Sequence, residues 1–233
     1  MRKKPNTTDR RRKRVTPRRE VDTHRNTIRQ VDGVTDNQKK YIKSILDNII
    51  TVCVGPAGSG KSYIAAGMFA DLLHSGEYKQ IIATRPLVCA GKDIGFLPGE
   101  MRDKIAPYLK PMEEHIKSFL GPSYYGFYFN EGKIRYEPLE LMRGATFDNS
   151  LMILDEAQNT TLDQIIMFIT RMGQDSKIVI NGDIKQTDIK SKTGLETLAN
   201  KISHIKGVGI CKFTYEDIQR NGILGDILRA LEE

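Results

Sequence analysis

Residues 49–62 read IITVCVGPAGSGKS, and this stretch decides the fold. The run from Ile49 to Val54 is apolar and largely β-branched, which predicts a strand buried on both faces of a parallel sheet. The next eight residues, Gly55 to Ser62, match the phosphate-loop pattern GxxxxGK[ST] at every fixed position. A helix is predicted to follow, from Lys61 to about His74. A strand, this loop and a helix in that order predict a site for the phosphates of a nucleotide.

The glycines of the loop let the backbone curl, so that successive N–H groups face one centre next to the positive end of the helix. We expect Lys61 to reach the β- and γ-phosphates of ATP and the Ser62 hydroxyl to bind Mg²⁺. A chance glycine-rich turn is the alternative, and the flanking strand and helix argue against it. The predicted nucleotide-binding residues of this segment are Gly55, Pro56, Ala57, Gly58, Ser59, Gly60, Lys61, Ser62 and Tyr63.

A second buried strand, Leu151 to Leu154, ends in Asp155 and Glu156. Ligands of α/β proteins bind at the carboxyl ends of the strands, so both carboxylates are expected beside the phosphate loop. Asp155 is the predicted Mg²⁺ residue, and Glu156 is predicted to orient and deprotonate the attacking water. A solvated acidic strand end is the alternative.

A third buried run, Ile178 to Gly182, delivers Asp183 and then Gln186 to the same edge. A neutral amide there can hydrogen-bond both the γ-phosphate and the water, so its contacts change when phosphate leaves. Gln186 is therefore a candidate γ-phosphate sensor. An ordinary loop glutamine is the alternative.

Strand and helix patterns alternate along the chain. This alternation predicts an α/β fold, a P-loop NTPase of the RecA-like class whose mostly parallel sheet has helices on both faces. Thr35 and Gln38 have the spacing of a capping box, which predicts a short helix before the first strand. Besides the segments above, the predicted strands are 80–83, 177–181 and 208–213, and the predicted helices are 161–172, 194–202 and 223–231. Residues 84–150 are less regular, and the aromatic residues between 124 and 129 favour a packed hairpin over a platform for nucleic-acid bases.

Positive charge is concentrated in the first 20 residues, which hold ten basic and two acidic side chains; the rest of the chain holds 26 and 27. We expect residues 1–30 to form a disordered basic tail and residues 31–233 to form one domain. The tail would bind the phosphates of nucleic acid, or it is a solubilising or targeting arm. The sequence shows neither a membrane-spanning run nor a secretory signal, so a cytoplasmic location without membrane contact is expected.

Seven motifs together make the chain resemble the PhoH-like family of P-loop ATPases, in its short bacterial and phage form. They are VGPAGSGKS at 54–62, TRPLV at 84–88, GFLPGE at 95–100, PYLKPM at 107–112, PLELMRGATF at 138–147, LDEAQNTT at 154–161 and NGD at 181–183. The resemblance runs from about Thr35 to the C-terminus. It departs from the family at residues 121–133, where family members are usually longer, and the basic tail lies outside it.

The resemblance implies ATP hydrolysis coupled to unwinding of RNA or DNA, in a homo-oligomeric ring of six subunits. It also implies that Gln38 recognises adenine and that Arg85 contacts the nucleic-acid backbone. Lys92 follows the same predicted strand and is a second candidate contact. Gly182 and Asp183 with Gln186 are similar to the γ-phosphate sensor of helicases.

A single domain of this kind lacks the second domain that supplies an arginine to the ATP site of related helicases, where such an arginine raises the rate by roughly 10³ to 10⁵. We therefore expect an arginine from a neighbouring copy through a head-to-tail contact. Arg220 is the preferred candidate and Arg143 is the other. A surface salt bridge is the alternative for each.

Two other functions remain open at this stage. One is a small-molecule kinase, which would need a substrate lid and would waste ATP if a water-activating carboxylate stood in its site. The other is an ATP-binding regulator that does not hydrolyse ATP and is tethered to nucleic acid by its tail. The intact Glu156 argues against both, in favour of an ATPase.

Overall fold

The computed structural model describes residues 28–86, 101–184 and 194–219, together with residues 223, 227 and 230. Side chains of the helix that begins at Met101 are described from residue 107 onward. Within these ranges six strands form one sheet, in the spatial order β3-β2-β4-β5-β1-β6. Their bounds are β1 Ile50–Val54, β2 Gln80–Thr84, β3 Ile134–Tyr136, β4 Ser150–Leu154, β5 Lys177–Gly182 and β6 Val208–Lys212.

All five neighbouring strand pairs are parallel. The carboxyl ends of β1, β2, β4 and β5 therefore lie along one edge of the sheet. β5 lies between β1 and β4, and its last residue, Gly182, pairs with Val54 at the end of β1. The predicted α/β fold with a parallel sheet is confirmed.

Three helices cover one face of the sheet: α1 Asp36–Asp47, α2 Lys61–His74 and α3 Met101–Asn130. Their buried side chains include Tyr41, Phe69 and Phe119, which pack with the strand residues that point to this face. Two helices, α4 Leu162–Ile169 and α5 Gly194–Ile202, cover the opposite face with Ile165, Phe168 and Leu195. Helices on both faces were predicted and are confirmed.

Local capping explains where two of the helices begin. The Thr35 side chain accepts a hydrogen bond from the backbone N–H of Gln38, and the Gln38 side chain accepts one from the backbone N–H of Thr35. The predicted capping box is therefore present. Thr161 and Gln164 form the same arrangement at α4. The helix predicted over 161–172 is shorter than expected. It ends at Ile169 because Thr170 is the C-cap and Met172 pairs with Phe147 as an isolated bridge.

The region 84–150 is more regular than the sequence indicates, since 30 of its residues form α3. Gly121 (φ 73°, ψ 161°) breaks this helix, and Pro122 follows at the break, where a proline needs no backbone donor. The preference for an aromatic hairpin is wrong. Tyr124 stacks on Tyr128, and Tyr125 stacks on Phe129, because residues four apart lie on one face of a helix.

Two cysteines are described, and both are free. Burial raises the pKa of the Cys53 thiol well above its ordinary value and also raises that of Cys211. Their thiols therefore stay protonated near neutral pH. None of the described helices is both long and apolar enough to cross a membrane.

Several sequence predictions fall outside the described residues. They concern Lys92, Gln186, Arg220 and residues 1–27 of the basic tail. The predicted C-terminal helix is described at three positions, residues 223, 227 and 230, each of which is helical.

Candidate nucleotide-binding site

The phosphate loop connects β1 to α2 at the carboxyl edge of the sheet. Gly60 is the N-cap of α2 and has a φ of 91°, a left-handed conformation that side chains rarely adopt. The Ser59 hydroxyl donates to the Pro56 carbonyl at 2.7 Å. This contact closes the loop on itself.

Lys61 is buried and folds back onto this loop. Its Nζ donates to the carbonyl oxygens of Gly55 at 2.7 Å and Pro56 at 2.8 Å. These neutral acceptors satisfy the ammonium group without an ion pair. A phosphate group offers the same donors a full negative charge, which makes stronger hydrogen bonds.

Ser62 and Asp155 meet at the centre of the site. The Ser62 hydroxyl donates to Asp155 Oδ1 at 2.5 Å, although the two residues are 93 positions apart in the chain. Hydroxyl and carboxylate oxygens are the ligands that Mg²⁺ prefers, and they stand next to the loop that would hold the phosphates. The two residues therefore fit a Mg²⁺ site. Bound there, the ion would neutralise charge on the phosphate oxygens.

Glu156 stands beside Asp155 in a left-handed backbone conformation, with a φ of 57°. That conformation costs a non-glycine residue roughly 1 to 2 kcal/mol and turns the chain sharply after β4. The two carboxylate oxygens of Glu156 accept hydrogen bonds from different donors. Arg85 Nη2 donates to Oε1 at 2.9 Å, and Gln158 Nε2 donates to Oε2 at 2.7 Å.

Arg85 follows β2 and lies within the same group of charges. Its Nε and Nη2 both donate to Asp155 Oδ2, at 3.1 and 2.9 Å, and its Nη1 donates to the Tyr108 carbonyl at 3.1 Å. The sequence predicted a nucleic-acid contact for Arg85. The structure places its guanidinium against Asp155 and Glu156, and its contact with nucleic acid stays a prediction.

Gln158 is a site residue that the sequence analysis missed. It is buried, and besides its contact with Glu156 its Oε1 accepts from the Asp183 backbone nitrogen at 2.9 Å. A Cβ on Gly182 would come within 2.8 Å of the same Oε1, so the absence of a side chain at 182 lets Gln158 approach β5. The signal was present in the sequence, because Gln158 is an amide two residues after Glu156, the carboxylate predicted to orient water.

These residues line one cavity of about 450 Å³. Its wall combines the phosphate loop, the ends of β2, β4 and β5, and one side of α3. The lining residues are Ala57, Gly58, Gly60, Lys61, Ser62, Tyr63, Arg85, Pro111, His115, Asp155, Glu156, Gly182 and Asp183. Pro111 and His115 were not predicted as site residues, because the sequence pattern did not predict α3.

Tyr63 and α3 form the outer wall of the cavity. The Tyr63 ring meets His115 edge-on at 5.7 Å and is tilted against Phe119 at 4.7 Å, measured between ring centroids. Such aromatic pairs add roughly 0.5 to 1.5 kcal/mol to the burial of their surfaces. They fix α3 over the start of α2.

Gln38 connects the phosphate loop to α1. Its Oε1 accepts from the backbone of Val34 at 2.8 Å, and its Nε2 donates to the Ser59 carbonyl at 3.0 Å. The side chain is buried by these contacts. It therefore supports the loop from behind, and its expected contact with adenine stays a prediction.

Arg143 is exposed in the turn before Gly144. It is not among the residues that line the cavity of its own chain. The structure does not bring it to the phosphate loop within one subunit, so only a contact between copies would give it the predicted role.

Sequence comparisons agree on one family. The family model described as PhoH-like protein matches residues 30–232. A PhoH-like protein of Synechocystis is 39% identical over 204 residues, which is 87% of this chain and 62% of the relative. A PhoH-like protein of Bacillus subtilis is 37% identical over 201 residues, which is 85% of this chain and 63% of the relative. Protein PhoH of Escherichia coli is 37% identical over 197 residues, 83% of this chain and 56% of the relative. The chain thus spans about three fifths of the length of these relatives.

Two solved structures share the fold. The UvsW helicase of bacteriophage T4 superposes with a TM-score of 0.50 at 15% identity, over 77% of this chain and 59% of that one. The large terminase of a thermophilic bacteriophage, solved in complex with ADP, superposes with a TM-score of 0.52 at 12% identity. The superposition covers 83% of this chain and 48% of the terminase. At these identities the similarity extends to the fold alone, which is that of P-loop NTPases.

Proposed function

Because the chain belongs to the PhoH-like protein family and folds as a P-loop NTPase, we propose that it hydrolyses ATP with Mg²⁺ and uses the turnover to unwind or remodel RNA or single-stranded DNA. The observation that carries the ATPase part is the meeting of Ser62 with Asp155, beside Glu156 and within one cavity with Lys61. A phosphate-binding loop, a metal-binding oxygen pair and a carboxylate that can take a proton from water are the parts that ATP hydrolysis needs.

Each of these side chains has a defined task in the proposed reaction. Lys61 exchanges the carbonyl oxygens of Gly55 and Pro56 for oxygens of the β- and γ-phosphates. Ser62 and Asp155 would hold Mg²⁺, which would neutralise charge on those phosphates. Glu156 orients a water molecule and accepts its proton.

The motor part of the proposal rests on different support. The first 20 residues carry ten basic side chains, enough to release several counterions from a nucleic-acid backbone. The same proposal includes the basic tail at 1–30, one domain at 31–233, a cytoplasmic location and a ring of six copies. In that ring Arg220 or Arg143 would enter a neighbour's site, Lys92 would contact nucleic acid, and Gln186 would sense the γ-phosphate.

The first experiment compares ATP turnover by the purified full chain with and without single-stranded RNA or DNA. We expect stimulation by nucleic acid and loss of turnover in Lys61→Ala. Lys43→Ala is the matched control, because Lys43 is an exposed lysine of α1 paired only weakly with Asp47. Turnover by Lys61→Ala at the wild-type rate would refute the proposed site.

A strand-displacement assay on tailed RNA and DNA duplexes then tests unwinding. Displacement that needs ATP and disappears in Lys61→Ala is the expected result. Turnover that no nucleic acid changes, together with phosphate transfer to a small molecule, would favour a kinase. Tight ATP binding without turnover, unaltered by Glu156→Gln, would favour a regulator.

A further inference from the structure

We infer that Arg85 is a catalytic residue of this site and acts within its own subunit, by donating hydrogen bonds to the phosphoryl group that leaves ATP. This inference rests on the proposed ATPase function and names the source of a positive charge that the reaction requires. It gives Arg85 a role at the nucleotide that is separate from the nucleic-acid contact predicted for it. Arg85 would act beside any arginine that a neighbouring copy supplies.

The contacts of Arg85 divide into two anchors and one accessible partner. The anchors are Asp155, whose side chain is 3% exposed, and the backbone carbonyl of Tyr108, which is partly buried. The accessible partner is Glu156, whose side chain is 46% exposed. A guanidinium has five N–H donors in a rigid fork, so it can keep its anchors while one arm changes partner.

The two oxygens of Asp155 serve different neighbours. Oδ1 accepts from Ser62, on the side where the Mg²⁺ ligands meet, and Oδ2 accepts from Arg85. Arg85 therefore does not occupy the oxygen that Ser62 shares. The metal-binding pair and the arginine can be in place together, next to the same phosphates.

Glu156 is the partner that Arg85 can release. Both Glu156 oxygens accept hydrogen bonds, one from Arg85 and one from Gln158. A γ-phosphoryl group in the cavity competes with Glu156 Oε1 for the Arg85 N–H, and an oxygen freed of that donor is a stronger acceptor for the water O–H. The released N–H then faces the cavity, which Arg85, Lys61 and Glu156 line together.

The chemical step follows from that exchange. The water oxygen forms a bond to the γ-phosphorus while the bond from that phosphorus to the β–γ bridging oxygen breaks, and its electron pair stays with ADP. One water proton passes to Glu156. The Arg85 N–H groups donate to the γ-phosphoryl oxygens as negative charge spreads over them, a contribution of roughly 10³ to 10⁵ in rate for arginines that act in this way.

A purely structural role for Arg85 makes different predictions from a catalytic one. If Arg85 only neutralised Asp155 and Glu156, its loss would weaken binding of every nucleotide alike. A catalytic arginine distinguishes ADP from a transition-state mimic, because ADP has no γ-phosphoryl group. Binding of ADP and of ADP with aluminium fluoride therefore separates the two roles.

The test uses Arg85→Ala and Arg85→Lys in the full chain, with Arg135→Ala as the matched control. Arg135 also pairs with a glutamate, Glu137 at 2.7 Å, but it does not line the cavity. We expect Arg85→Ala to lower kcat by about 10³-fold or more and to bind ADP within about threefold of wild type, with tight binding of ADP and aluminium fluoride lost. Arg85→Lys keeps the charge without the fork, and we expect it to recover less than about a tenth of the activity.

A mixing experiment decides between one subunit and two. Lys61→Ala supplies an intact Arg85 and Arg85→Lys supplies an intact phosphate loop, so a mixture regains turnover only if Arg85 acts across an interface. We expect no recovery at any mixing ratio. Recovered turnover would overturn the inference, as would an Arg85→Lys variant with wild-type kcat.

The two proposals fail in distinguishable ways. A wild-type chain that does not hydrolyse ATP defeats the proposed function itself. A wild-type chain that hydrolyses ATP, with an inactive Lys61→Ala and a fully active Arg85→Lys, defeats only the inference about Arg85. If Arg85→Ala does not fold, Arg85→Lys with its binding measurements still gives the answer.

Discussion

Gln158 connects Glu156 to Asp183: its amide nitrogen donates to Glu156 Oε2 at 2.7 Å, and its amide oxygen accepts from the Asp183 backbone nitrogen at 2.9 Å. The bridge joins the second residue after β4 to the first residue after β5. Glu156 also has a left-handed backbone, with a φ of 57°. Gln158 therefore fixes the direction of the carboxylate that we propose as the base.

Replacing Gln158 with alanine should lower kcat by about 10- to 100-fold and leave nucleotide affinity near wild type. The reason is that an ångström-scale error in the position of a catalytic group can cost roughly 10²-fold, whereas the phosphate loop is untouched. Steady-state kinetics and ADP titration check both parts. Gln164→Ala is the matched control, since Gln164 only caps α4. A Gln158→Ala enzyme with full kcat would show that Glu156 needs no support.

Tyr41→Phe should destabilise the fold by about 1 to 3 kcal/mol, because it leaves a buried amide without its partner. The Tyr41 hydroxyl donates to Asn181 Oδ1 at 2.6 Å, and both residues are fully buried. The phenylalanine would keep the edge-on packing against Phe213. Urea unfolding measures the change.

The double variant Tyr41→Phe with Asn181→Leu provides the control for that experiment. It removes both polar partners and fills a similar volume, which is often close to neutral. We expect it to be more stable than Tyr41→Phe alone. A single variant as stable as wild type would mean that the hydroxyl contributes nothing.

Phe119→Ala should cost about 3 to 5 kcal/mol of unfolding free energy, the usual loss for a buried phenylalanine. Phe119 is buried where α3 crosses α2, and a Cβ on Gly67 would lie only 2.6 Å from its ring. Phe127→Ala on the same helix is the control, since Phe127 is 54% exposed and its loss should cost less than about 1 kcal/mol. Equal denaturation midpoints for the two variants would contradict the packing described for α3.

Asp217→Asn should change how stability depends on pH. Burial alone would raise the pKa of Asp217, but hydrogen bonds from Thr214, Thr35 and Asn37 outweigh it and hold the pKa below its ordinary value. A carboxyl whose pKa is lowered on folding stabilises the protein above its unfolded pKa, and the contribution is lost as the pH falls through the folded value. The variant should be less stable than wild type at about pH 7.

The difference between the two proteins should shrink as the pH falls below about 4. Urea unfolding from about pH 3 to about pH 7 tests this, with Asp47→Asn as the control, because Asp47 is exposed at the end of α1. A constant difference across that range would remove Asp217 as the titrating group.

The phosphate loop and its flanking elements were predictable because the signals are local. Eight consecutive residues carry the motif, and the apolar run before it specifies a buried strand. The approach of Asp155 to Ser62 was also predictable, since parallel strands with helical connections bring their carboxyl ends to one edge. Neither the phosphate loop nor the approach of Asp155 to Ser62 required knowledge of side-chain packing.

Residues whose positions depend on packing were harder to predict. The prolines at 107, 111 and 122 argue against a helix by local rules, yet α3 is stabilised by burying Met112, Ile116 and Phe119 on α2 and the sheet. The position of the Arg85 guanidinium depends on the side-chain rotamer of Arg85. The sequence near Arg85 does not contain that information, because its partners Asp155 and Glu156 lie 70 and 71 positions away.

β5 separates the strand that leads into the phosphate loop from the strand that ends in the carboxylate pair. Two interstrand steps of roughly 4.8 Å each therefore set the width of the cleft between the phosphate loop and the two carboxylates, where we propose that a triphosphate and its metal bind. Backbone hydrogen bonds fix that width, and they depend little on which side chains the strands carry. Surface residues and loops can thus diverge widely between related chains while the reactive groups keep the same separation.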